Sequence, residues 1–158
     1  MEIVGRADKP WDAAFIFHFY SSEGDQAVAE RLQKLIARKA GSGGTFGKQV
    51  SAGKRGAPCL ISGRFLERKE CYELFEAWNA PEGEMHWMCY TPNHGIATVR
   101  DGVLDWLALI CFQCANAGIS GSSALQAGPS PNRNLPEGPL LHDHLIGLLP
   151  ERPFPIRM

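Results

Sequence analysis

The sequence predicts an α+β domain in which a mainly antiparallel sheet of four to five strands is packed by two or three amphipathic helices. Three observations carry that expectation. Residues 13–20 form a short aromatic and β-branched run that is apolar on both alternating faces except at His18, the pattern of a strand covered on two sides. Two stretches repeat their apolar residues at helical spacing, Val28, Leu32, Leu35 and Ile36 in one and Cys71, Leu74, Phe75 and Trp78 in the other, so each presents one buried stripe. Short apolar segments between Gly, Pro and Asn clusters supply the remaining strands. A chain of 158 residues is the size of one domain with its own core, so residues 1–158 are read as a single unit.

The elements follow in order. The run 13–20 is the first strand. Ser22 and Asp25 have the spacing of a capping box, so the first helix starts there and ends near Gly41. The glycine-rich stretch 41–47 is a loop. Two short strands flank the basic turn 53–56, the clearer one at 59–66, with Pro58 suited to its first position. The second helix spans 67–79 and is stopped by Pro81 and Gly83. Residues 85–91 and 96–99 are expected to form a hairpin around 92–95. Residues 103–117 are apolar almost all round and are read as a third helix, covered on more than one side by the C-terminal segment or by another subunit. A Gly-, Ser- and Pro-rich surface loop at about 118–139, a short helix over 140–149 and an extended proline-containing tail complete the chain. The resulting order β-α-β-β-α-β-β-α is similar to a ferredoxin-like sandwich extended at its C-terminus, a likeness of plan that implies no function.

Composition narrows the setting. The opening residues lack the basic and apolar segments of a signal peptide, and no apolar stretch approaches a membrane span, so a cytoplasmic protein with no membrane partner is expected. The five cysteines, Cys59, Cys71, Cys89, Cys111 and Cys114, are odd in number and lie among apolar residues; reduced thiols are expected rather than a disulfide framework. The formal charge of −1 conceals a segregation. Between Arg31 and Lys69 ten Lys or Arg residues face one acid, Glu67, giving that window +9.

Four features bear on chemistry. The 41–47 loop resembles a phosphate cradle in glycine content only, since the P-loop and kinase-loop positions hold Ser42, Gln49 and Phe46 where those motifs need other residues. Cys111 and Cys114 form a C-x-x-C that His142 and His144 would complete as a zinc site, but both cysteines fall in an apolar segment, so core packing is expected and neither metal nor cofactor is assigned. His18, Tyr20, His86, Met88 and Tyr90 would line a pocket with acid–base groups if their two strands were neighbours. Lys48, Lys54, Arg55 and Arg64 are the anion-binding candidates, for nucleic acid or an acidic partner, unless the glutamates of the second helix (Glu67, Glu70, Glu73, Glu76) neutralise the region from beside the first.

With no catalytic signature, the leading expectation is a small binding or regulatory module that self-associates, as a dimer or larger homo-oligomer, through the segment 103–117. A small enzyme or small-molecule binder using the His18, His86 and Tyr90 pocket is the alternative, followed by nucleic-acid binding through residues 31–69.

Overall fold

The computed structural model describes residues 13–22, 24–40, 50–53, 59–84, 90–120 and 132–149. Its centre is β1 (Ala13–Ser21), hydrogen-bonded on one side to β3 (Cys59–Phe65) and on the other to β4 (His94–Arg100). Phe15, Phe17 and Phe19 point to one face of the sheet and Ala14 and Ile16 to the other, and all are buried. A strand in the middle of a sheet covered on both faces has no solvent side, which is why the run is apolar at nearly every position.

Outward from this centre the sheet is antiparallel throughout, in the order β2 (Val50–Ala52), β3, β1, β4, β5 (Val103–Cys111), β6 (Asn116–Ser120) and β7 (Arg133–Asn134). Seven strands among the described residues thus replace the four to five expected. Helix α1 (Asp25–Ala40) lays Val28, Leu32, Leu35 and Ile36 on the phenylalanine face. Helices α2 (Arg68–Trp78) and α3 (Leu140–Leu148) cover the opposite face with Leu74, Phe75, Trp78, Leu141 and Leu145. Each fully buried Leu, Ile or Phe of these stripes contributes about 1.5–3 kcal/mol relative to exposure, so the helices are held by their contact with the sheet more than by intrinsic propensity.

The main correction concerns residues 103–117. They form β5, a four-residue turn and the start of β6, not a helix. Asp101 and Gly102, both with positive φ (52° and 73°), make the two-residue turn that sends β4 back as β5, the Asp-Gly hairpin signal. Beyond it Trp106, Ala108 and Ile110 face α2 and α3, while Leu104, Leu107 and Leu109 face α1. The register shifts between Thr98 and Val99, leaving Asp105 as the extra residue. This bulge lets Leu104 and Leu107 share a face, and the amide of Leu104 donates to the Gln33 side chain of α1 at 2.9 Å. Cover that was expected from the C-terminal segment or from another subunit is supplied by α1 on one side and by α2 with the C-terminal helix α3 on the other.

The β-α-β-β-α-β order is met from β1 through β4; after it the described residues form three more strands before α3, where one was expected. The expected strand at 85–91 lies outside the described residues over 85–89, and His94 and Gly95, expected in a turn, open β4. Part of the expected 118–139 loop is β6 and β7, and Glu82 forms a bridge with Pro136; its remainder, 121–131, lies outside the described residues, as do the glycine loop 41–47 and the C-terminal tail. The expectation that all cysteines are reduced is also corrected. Cys59, Cys71 and Cys111 are free thiols, whereas Cys114 is disulfide-bonded. No helix among the described residues is long and apolar enough to cross a membrane.

Candidate functional site

The face of the sheet that carries α2 and α3 also carries the histidines. His18 sits on β1 two residues beyond Ile16, buried, with Ser62 of β3 and His94 of β4 as its lateral neighbours. The Phe19 amide donates to the Asn93 carbonyl at 2.8 Å, so that pair is the hydrogen-bonded one. His18 and His94, the next pair along, occupy a position without ladder bonds, where opposing side chains approach most closely. The sequence-based pocket paired His18 with His86. His86 and Met88 lie outside the described residues, and the strand beside β1 brings His94 there instead. Tyr90 is directed to β5, its hydroxyl donating to the Leu109 carbonyl at 3.5 Å, and Tyr20 is half-buried near the end of β1.

From His94 a row of rings leads outward. Phe112, the first residue of the β5–β6 turn, meets His94 edge-on at 5.3 Å and His142 of α3 at 4.8 Å with perpendicular planes. Such edge-to-face pairs each contribute about 0.5–1.5 kcal/mol beyond area burial, and these fix Phe112 as a wall between the sheet and α3. On its outer side opens a cleft of about 780 Å³, within the size range of small-ligand sites. Phe112, Ala115, Leu135 and Leu141 supply its apolar lining, with Pro136 and Pro139 beside them.

The polar lining consists of Glu84, Gln113, Glu137 and His142. His142 Nδ1 lies 3.0 Å from Asp143 Oδ1, an arrangement that orients the ring. The walls are placed by backbone bonds: Gly83 donates to the Leu135 carbonyl at 2.8 Å and Leu135 to the Ala115 carbonyl at 2.9 Å. These join the segments after α2, after β5 and before α3. Trp78, at the end of α2, anchors the same region through an edge-on contact with Trp106 at 5.7 Å. Arg133 also stacks over Trp78 at 4.6 Å and donates to the Trp78 carbonyl at 2.8 Å.

The cleft residues Phe112, Gln113, Glu84 and Glu137 were not singled out from sequence, and His142 was considered only as a zinc ligand. With Cys114 in a disulfide, that four-ligand set is not available, and among the described residues no three His, Cys, Asp or Glu side chains are grouped to hold a metal ion. One signal was present: Pro136-Glu137-Gly138-Pro139, with Gly138 at φ 82°, is a turn leading straight into α3.

Of the anion-binding candidates, Lys48, Lys54 and Arg55 lie outside the described residues, and Arg64 is committed internally to Glu70 and to the Leu148 carbonyl. The glutamates of α2 do not neutralise α1, because the two helices lie on opposite faces of the sheet. They pair locally instead, Glu70 with Arg64 and Glu73 with Lys69. No protein-family model, curated protein or solved structure matches the chain.

Proposed function

We propose that this protein is a binding module that takes a small ligand carrying an apolar, preferably aromatic, group and a cationic group, seated in the cleft beside Phe112. The observation that carries this reading is the cleft's lining: an aromatic ring and aliphatic side chains next to two carboxylates, Glu84 and Glu137, with no Lys or Arg among the described residues. An apolar wall favours a hydrophobic body, and carboxylates at its rim favour a positive charge over a negative one.

Thermal unfolding with phenethylamine and with phenylacetate, two probes of similar shape and opposite charge, tests it. A ligand at ten times its Kd stabilises by about 1.4 kcal/mol, roughly 4 °C for a domain of this size. The amine should raise the Tm, the acid should not, and the shift should vanish in Phe112→Ala and in Glu84→Gln/Glu137→Gln. Stabilisation by the acid alone, or by neither probe, overturns the reading.

A second reading has its own support. His142 lines the cleft with Nδ1 held by Asp143, the orientation a general base requires, so the cleft would serve a small enzyme. Turnover lost in His142→Gln while amine binding persists would favour it. Self-association is left without its original motive, because β5 is covered within the chain.

A further inference from the structure

Helix α2 carries no basic residue in its own last turn, although the carbonyls at a helix end favour a cation. Arg133, which enters from β7, takes that place. Its Nη2 donates to the Trp78 carbonyl at 2.8 Å, its guanidinium lies 4.6 Å from the centre of the Trp78 ring, and its Nε lies 3.8 Å from Glu82 Oε1. The side chain is only 14% exposed, and its own backbone is paired with Ala117 of β6. One planar cation thus fastens the end of α2, and the segment that follows it, to the sheet.

This grip lies at the root of the cleft's two acidic arms. Past Arg133 and Glu82 the two segments run together: Glu82 bridges Pro136, and the Gly83 amide donates to the Leu135 carbonyl at 2.8 Å. They are so close that a Cβ added at Gly83 would come within 2.9 Å of Glu137 Cγ. Glu84 follows on one arm and Glu137 stands on the other, and like charges carried on paired segments push them apart. Holding both at one rim therefore needs a restraint, which Arg133 supplies from behind the lining.

Taking the cleft as the seat of an ammonium group, on which this inference rests, we propose that Arg133 sets the charge selectivity of the site. It is a positioning residue: by tying Trp78 and Glu82 to β7 it keeps Glu84 and Glu137 together as the cation subsite. The sign of its effect separates position from charge. As a positive charge near the cleft alone, Arg133 would repel an ammonium, and its removal would strengthen amine binding. As a positioning residue, its removal weakens amine binding. Lysine keeps the charge but lacks the rigid fork and flat face that engage carbonyl, ring and carboxylate at once.

Phenethylamine and 2-phenylethanol share a shape and differ in charge, and chemical-shift titrations of the full-length protein give a Kd for each. Wild type should bind the amine more tightly. In Arg133→Lys and in Arg133→Met that preference should fall about fivefold, the worth of one exposed ion pair, while the Kd for the alcohol changes less. In the ligand-free protein the Gly83 amide should exchange faster in both variants, because the bond that closes the wall opens more often. A preference that stays at the wild-type value or rises in either variant overturns the role given to Arg133, as does Gly83 protection equal to wild type. Should Arg133→Met fail to fold, Arg133→Lys decides alone. A wild type that binds the two probes equally, or binds neither, overturns the reading of the cleft itself and this proposal with it.

Discussion

Arg64 on β3 and Glu70 on α2 are joined by one guanidinium nitrogen, Nη2, which donates to both carboxylate oxygens at 2.7 and 3.0 Å, while Nη1 donates to the Leu148 carbonyl at the end of α3 at 3.1 Å. Glu70 also accepts the Glu67 amide at 2.9 Å, closing the first turn of α2. A single ion pair therefore links the sheet to both helices on that face. The side chains are only 17% and 20% exposed, so removing one partner strands a largely desolvated charge. Arg64→Ala and Glu70→Ala should each cost about 2 kcal/mol, and the double variant less than their sum. Urea titrations of the three variants measure this; additive losses would mean the two groups act independently.

Phe17 is flanked across the sheet by two glycines, Gly63 and Gly95, and a Cβ at Gly95 would be driven into its ring. Gly95→Ala should destabilise by about 1–3 kcal/mol through overpacking. The penalty should shrink in a Phe17→Leu background, where the ring is gone. At Gly63 the obstacle is the Ile16 carbonyl oxygen, so Gly63→Ala should show no such relief.

Gly102 occupies the left-handed region in the β4–β5 turn. Gly102→Val should lower stability by about 1–2 kcal/mol, because a Cβ clashes with the following carbonyl in that conformation, whereas Gly102→Asn should cost markedly less. Equal midpoints for the two variants in denaturant would argue against this turn.

Burial, reinforced by the neighbouring Glu70 carboxylate and opposed by a backbone hydrogen bond, pushes the Cys71 thiol up from 9.0 to about 12. The folded state favours the neutral thiol, so its contribution to stability is fully present below about pH 9 and is lost as the pH rises through 12. Across that window wild type should lose up to about 1.4 kcal/mol per pH unit more than Cys71→Ala. Identical pH profiles for the two proteins would contradict it.

The elements with one buried side were legible in the sequence. The stripes of α1 and α2 recur at helical spacing because their other faces meet water, and β1 was legible from its aromatic, β-branched content. β5 was not, because both its faces are buried: the run from Leu104 to Cys111 satisfies helical and strand periods alike, and the bulge at Asp105 breaks the alternation further. Asp101-Gly102 was the local signal that decides between them. The site was less legible still. His18 was visible, but its neighbour His94 follows from strand order, a long-range property. The cleft is assembled from Gly83 and Glu84, the β5–β6 turn and residues 135–142, which sequence spacing does not connect.

At the far edge of the sheet, the Asn132 carboxamide accepts the Ile119 amide at 2.9 Å and donates to the Ile119 carbonyl at 3.0 Å, and the Asn132 amide donates to the Ala117 carbonyl. One side chain thus makes, at Ile119, the pair of bonds that an adjoining strand would make. An incoming extended chain would find these outer groups of β6 already occupied and would have to break bonds before making any. At Ile119 the edge-to-edge pairing that bare strands invite is thereby opposed.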